Sequence, residues 1–221
     1  MDSEGILKFL RALAKNNNRE WFEKNKERYL AAKDEFEKFI IELLPELIKF
    51  DDSLKGLEPR KLIFRIYRDV RFSKDKTPYK NNFGASFSAS GKGMGTPGFY
   101  FQLQPGNESF VAAGLFMPDT ECLAKIRQEI DYNGDRLEKI AKHPTFKKHF
   151  SKFWDENKLK TMPKGYPKDH PRMEWLKLKS FMVVHTFTDK QILDKKLIKN
   201  LAEVMRAAKP LNDFLKEANA N

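Results

Sequence analysis

The chain has 221 residues, 40% of them apolar and 33% charged, with 19 phenylalanines; this composition supports a sizeable buried core and excludes a long disordered chain. Its 42 Lys and Arg against 31 Asp and Glu give a net charge of +11, which favours anionic partners through long-range attraction, although solvated helix faces give the same total with no binding role. A single cysteine, Cys122, excludes an intrachain disulfide framework and any multi-cysteine metal cluster.

The opening MDSEGILKFLRAL places acids where a secretory leader needs bases, and no run of about 18 apolar residues occurs. A soluble cytoplasmic protein with no membrane partner is therefore expected. Ile6, Phe9, Leu10 and Leu13 recur at helical spacing and predict a short amphipathic helix that stops at Asn16, Asn17 and Asn18. Asn17 and Glu20 read as the capping pair of a second helix, whose apolar face runs through Phe22, Tyr29, Phe36, Ile40, Leu43 and Leu47, with a kink or restart at Pro45.

Beyond Gly56 and Pro59 the periodicity changes. KLIFRIYRDVRF reads as a strand with Leu62, Phe64, Ile66, Val70 and Phe72 on one face, together with Arg68, and Ile63, Arg65, Tyr67, Asp69 and Arg71 on the other. FGASFSAS, GFYFQLQPG and ESFVAAGLF read as three more strands, joined too closely for parallel crossovers, so an antiparallel meander over residues 61–116 is expected. GKGMGTPG lacks the spacing of a phosphate-binding loop and is assigned to turn-making.

From Asp119 the chain reads as helical, with Leu123, Ile126 and Ile130 on one face and a second helix carrying Leu137 and Ile140 after Asn133 and Gly134. Residues 143–174 read as an irregular, proline-rich covering layer. KSFMVVHTF predicts a last strand, and Thr188 with Gln191 caps a final helix through Ile192, Leu193, Leu197, Leu201 and Val204; LNDFLKEA then forms a turn or short helix. The whole reads as one α+β domain over residues 1–221, a mainly antiparallel sheet flanked by N-terminal and C-terminal helices.

Two stretches concentrate chemistry. Between Arg65 and Lys80 six basic and two acidic residues give a local net charge of +4. On a strand Asp69 reaches Arg71 and approaches Arg65, which makes either a structural ion-pair ladder or an anion pocket with an oriented guanidinium fork. In the second case Arg65, Arg68 and Arg71 clamp the charge, and Tyr67, Ser73, Lys76, Tyr79 and Lys80 complete the shell. PKGYPKDHPRMEWLKLKSF is either a rigid surface connection or a loop folded over the arginine segment. The latter adds Lys164 and Tyr166 as ligand contacts and His170, with Asp69, as catalytic candidates. His185, between Val183 and Phe187, reads as a core histidine, and His143 and His149 as surface residues. No metal-ligand spacing stands out, Cys122 has no histidine nearby to make it a nucleophile, and no cofactor is indicated.

NNNREWFEKNKERY, FRIYRDVRFSKDKTPYKNNFG, GFYFQLQPG with AAGLFMP, and PKGYPKDHPRMEWLKLKSF, in this order, resemble the bacterial domain-of-unknown-function 2461 family of conserved hypothetical proteins over nearly the whole chain. The shared motifs include the residues singled out above, and Asn18, Arg19, Glu20, Trp21, Phe22 and Lys26 besides. The resemblance implies no activity and transfers no catalytic role. The leading expectation is a binder of a small anionic ligand, phosphorylated ligands included, with catalysis open. Nucleic-acid binding is the alternative, on the charge and the aromatics among basic side chains, and a protein-interaction module using residues 163–175 is the third.

Overall fold

A computed structural model describes residues 1–92 and 95–220. α1 (Ser3–Lys15) buries Ile6, Phe9, Leu10 and Leu13 as their spacing predicts, and Asp2 caps it by accepting from the Gly5 amide at 2.8 Å. The N-cap of α2 (Arg19–Lys24) is Asn18, which accepts from the Trp21 amide at 2.9 Å, and not Asn17. α3 (Lys26–Ile48) continues through Pro45 without the expected restart. The carbonyl that Pro45 leaves without a donor is that of Ile41, an exposed residue, where water can take its place.

A short turn of 3₁₀ helix (Asp52–Leu54) and α4 (Pro59–Leu62) follow, and here the structure departs most from the sequence. The strand expected over residues 61–72 does not form: Leu62 ends α4, and residues 63–82 make only isolated bridges, Ile63 with Ala85 and Tyr67 with Tyr79. The chain instead folds back on itself. Arg68 N donates to the Pro78 carbonyl (2.9 Å) and Lys80 N to that of Ile66 (2.8 Å), while Phe64 N donates to Gly84 O (2.9 Å). Period-two burial fails accordingly: Leu62, Ile63 and Ile66 are buried, and Phe72, expected on the apolar face, is 96% exposed.

The sheet comprises β1 (Phe83–Ser88), β2 (Gly98–Leu103), β3 (Ser109–Leu115) and β4 (Phe181–Phe187), in the order β1-β2-β3-β4 with every pair antiparallel. The meander is the expected one without its first strand at 61–72 and with the late strand added beside β3. Alternation sorts its side chains: rows such as Phe87–Phe99–Ala113–Val183 form the buried face. The opposite face carries the rows Ser88–Gly98–Gly114–Met182 and Ser86–Tyr100–Ala112–Val184 and is much less covered.

α5 (Thr120–Lys142) is one element broken at Asn133, whose backbone leaves helical values (φ −121, ψ 23), close to the expected boundary between two helices. α6 (Pro144–His149) and α7 (Met173–Leu176) punctuate an otherwise irregular covering layer. The Thr188–Gln191 capping box exists, but it starts only the short α8 (Asp189–Ile192). The last helix, α9 (Leu197–Ala220), is separate and longer than expected: it absorbs LNDFLKEA and runs through Pro210. α9 packs on β3 and touches α5 and α3, while α1 packs on α3, so a single apolar cluster joins sheet and helices. Each large side chain fully buried there contributes about 1.5–3 kcal/mol of transfer free energy. No helix among the described residues is long and apolar enough to cross a membrane.

Candidate functional site

The arginine-rich segment is largely occupied with holding itself together. Arg68 points into its own loop, donating to Asp75, Thr77 and, at 3.5 Å, Ser73 Oγ. Lys76 Nζ donates to the Val70 carbonyl at 2.9 Å. Arg71 grips Asp69 with two nitrogens, Nε at 3.0 Å and a terminal nitrogen at 2.7 Å. This pairing holds the Asp69 carboxyl down at about 2, and Arg68 with Thr77 does the same for Asp75. Both acids are thus hydrogen-bond acceptors at neutral pH, and the expected Asp69–Arg71 contact is made as an exposed pair at a bend rather than across a strand.

Tyr79 does not close a pocket either. Its ring is buried and stacked on Phe22, centroids 3.9 Å apart and planes 12° from parallel. Asn17 clasps its backbone from both sides, donating to the carbonyl (2.9 Å) and accepting from the amide (3.1 Å). Burial, then Tyr67 and Glu23, push its hydroxyl up. Tyr67 packs on Tyr79 at 5.4 Å and keeps its outer side exposed.

His170, Lys164 and Tyr166 belong to a different neighbourhood. His170 Nδ1 accepts from the Arg172 amide at 3.0 Å, which leaves the proton on Nε2, facing Asp131 Oδ1 at 3.0 Å. Its side chain is 7% exposed. Both nitrogens are therefore engaged in pinning the proline-rich loop to α5, and neither is directed at a substrate. Tyr166 lies edge-on to His170 at 6.2 Å, Arg127 ties the same region by donating to the Leu176 carbonyl (2.8 Å), and Trp175 packs on Phe153. Lys164 is exposed. Among the described residues no hydrogen bond, ion pair or ring contact joins this loop to residues 64–82, so the expected composite site is not assembled.

Of the other flagged residues, His185 is anchored as expected, Nδ1 lying 2.9 Å from the His149 carbonyl. His149 is mostly buried and not the surface residue its sequence context suggests. Burial and Asp119 raise the Cys122 thiol, which suits a packed side chain. No group of three or more His, Cys, Asp or Glu among the described residues is placed to hold a metal ion.

What the fold does assemble is a groove on the exposed face of the sheet. Ser86, Gly98, Ala112 and Gly114 make a floor of small side chains, and Phe64, Tyr100, Phe110, Phe116 and Met182 rise around it. The groove is open to solvent and has a volume of about 510 Å³, inside the ~300–1,000 Å³ typical of small-molecule sites. Tyr100 leans over Gly84, where a Cβ would meet its hydroxyl at 2.4 Å, so glycine is what lets the ring lie there. Burial pushes the Tyr100 hydroxyl up to about 12. It therefore stays protonated and donates to Gln102 Oε1 (3.1 Å), which passes the chain on to Gln104 (2.8 Å).

The groove's edge at Phe64 is strongly basic. Lys80 Nζ and Lys92 Nζ lie 5.4 and 5.6 Å from the centre of the Phe64 ring, and Lys92 also donates to the Ile63 carbonyl at 3.0 Å. Burial, Arg65 and Lys92, in that order, lower the Lys80 pKa. Arg65, Lys80 and Lys92 form no ion pair among the described residues, in contrast with Arg68 and Arg71. Arg65 and Lys80 are the two site residues from the sequence that meet here. Lys92, Phe64 and Tyr100 were missed, because Lys92 sits in a glycine-rich turn and the two aromatics read as strand residues; a lysine among glycines next to an apolar strand was the only signal.

No curated protein and no solved structure matches the chain. A family model described as conserved hypothetical protein (DUF2461) matches residues 5–214, nearly the full length, so the chain belongs to that family.

Proposed function

We propose that this protein binds a small ligand with a flat apolar body and an anionic group, the body lying in the groove over β2 and β3 and the anion meeting Lys80, Lys92 and Arg65. The observation that carries this is the group of three cations, Arg65, Lys80 and Lys92, which form no ion pair among the described residues, beside an apolar cavity. Burial, then repulsion from Arg65 and Lys92, lowers the Lys80 pKa, and a bound anion relieves the repulsive part. Apolar walls with a few placed polar groups are the usual make-up of a small-molecule site, and the Tyr100 hydroxyl and Lys92 supply direction. No reaction is assigned, since His170 and Asp69 are both held in structural contacts. A cytoplasmic setting, which the lone buried thiol favours, is part of the proposal.

Thermal unfolding with aryl carboxylates and aryl phosphates tests it. A ligand at 100 times its Kd stabilises by about 2.7 kcal/mol, which for a chain of this size raises Tm by roughly 5–10 °C. Lys80→Met and Lys92→Met are expected to weaken the ligand about tenfold or more each, the scale of one charge-assisted hydrogen bond, while Lys80→Met leaves the unliganded protein as stable or more so. Equal stabilisation by the uncharged parent compounds, or by acids in the double lysine variant, would refute the anion contact.

A further inference from the structure

The loop beyond the groove presents a side chain that packing does not explain. Phe72 is 96% exposed at the far end of residues 67–79, and Tyr67 on the same loop is 47% exposed. A fully solvated phenylalanine is costly to maintain in a flexible segment, where it would collapse onto the nearest apolar surface. Here the scaffold prevents collapse: Arg68 braces the loop through Asp75, Thr77 and Ser73, Lys76 ties back to the Val70 carbonyl, and Arg71 is held by Asp69. The Arg71 guanidinium carbon lies 5.8 Å from the centre of the Phe72 ring.

Charge surrounds this ring. Lys74 and Lys76 are exposed beside it, and the two acids of the loop are each already matched by an arginine. We infer that the loop is a contact surface for single-stranded nucleic acid, Phe72 stacking on a base while Lys74 and Lys76 meet the flanking phosphates. Every base offers a π face, so one exposed ring within a basic surface suits a strand without sequence preference. A lipid bilayer is the less favoured partner, because the tip offers one exposed apolar side chain with only half-buried Val70 beside it. This surface is independent of the groove, and either proposal stands without the other.

The test is fluorescence anisotropy of a labelled oligothymidylate strand at low salt, with the wild-type chain, F72A, F72W and K74E/K76E. Phe72 is 96% exposed, so F72A and F72W are expected to fold as the wild type does; K74E/K76E gives up the Lys76 tie to the Val70 carbonyl in an exposed loop and is expected to keep the overall fold, and all three are checked by circular dichroism. F72A is expected to lose about fivefold or more in affinity, F72W to match or exceed the wild type, and K74E/K76E to flatten the salt dependence. No binding of the strand by the wild-type chain overturns the inference, as does binding that F72A leaves unchanged. Binding to vesicles containing anionic lipid that requires Phe72, with none to the strand, assigns the loop to a membrane surface instead and equally overturns it.

Discussion

Tyr79 shows how residue identity and role separate. In sequence it closes a row of hydroxyls and cations that suggests a ligand shell, yet its ring is the inner half of a stack with Phe22, and Asn17 locks its backbone. The whole basic loop is therefore anchored to the N-terminal helices through one aromatic and one amide. Tyr79→Ala removes a buried ring and leaves a void, with an expected loss of about 3–5 kcal/mol in urea denaturation. Tyr79→Phe keeps the stack and is expected to stay within about 1 kcal/mol of wild type. Similar losses from both would place the energy in the hydroxyl rather than in the ring. Arg68 carries the parallel lesson: a guanidinium read as a ligand clamp is consumed by Asp75 and Thr77, and only a three-dimensional partner count distinguishes it from Arg65.

α6 illustrates the same point for an element. It docks by its C-terminal end, where His149 meets His185 of β4 at a ring separation of 5.4 Å and faces Glu203 of α9 at 3.5 Å. Burial lowers the His149 pKa from 6.5, His185 and Lys148 add to the fall, and Glu203 opposes it. A histidine depressed in the folded state takes up its proton more readily when unfolded. Its stabilising contribution is therefore complete above about pH 6.5 and is lost as pH falls below that value towards the folded pKa. The urea midpoint of the wild type is expected to drop between about pH 7.5 and 5.5, and that of His149→Gln to drop less; identical pH dependence in the two proteins would remove His149 as the source. β3 has its own fixed point at Gly114, where φ is +119 and a Cβ would lie 2.0 Å from the Phe181 carbonyl oxygen. Gly114→Ala is expected to cost more than about 2 kcal/mol, because both the backbone conformation and the approach of β4 forbid the methyl group; a thermal midpoint equal to wild type would contradict this.

At the scale of the molecule, both edges of the sheet are shielded by irregular chain. Ile63 bridges Ala85 and Phe64 N donates to the Gly84 carbonyl (2.9 Å) along β1, while Phe153 bridges Val183 and Trp154 N donates to the Met182 carbonyl (2.8 Å) along β4. Edges covered in this way do not template pairing with other chains. Because one apolar cluster links α1, α3, α5, α9 and the inner face of the sheet, we expect a single cooperative urea transition, coincident by far-ultraviolet circular dichroism and tryptophan fluorescence. Separate midpoints would divide the chain into two folding units.

The sequence by itself determined the elements whose periodicity is supported on both sides: the amphipathic α1, the apolar face of α3 although not the break at Asn25 that separates it from α2, the strands β1–β3, the last strand, the Thr188–Gln191 cap and the break at Asn133. In each of these, local spacing and burial agree, so a linear pattern is enough. Only the tertiary structure decided whether KLIFRIYRDVRF is a strand, since an alternating pattern becomes one only where a neighbour completes its ladder, and here the chain pairs with its own return arm and with the end of β1. It alone also decided which cations are free. Arg65, Arg68 and Arg71 look equivalent in the sequence; partners at Asp75 and Asp69 take two of them, and the third adds its charge to that of Lys80, which with Lys92 flanks the Phe64 ring. Charge that is neutralised within a loop and charge left at the mouth of a groove differ by contacts between side chains, which composition and spacing do not encode.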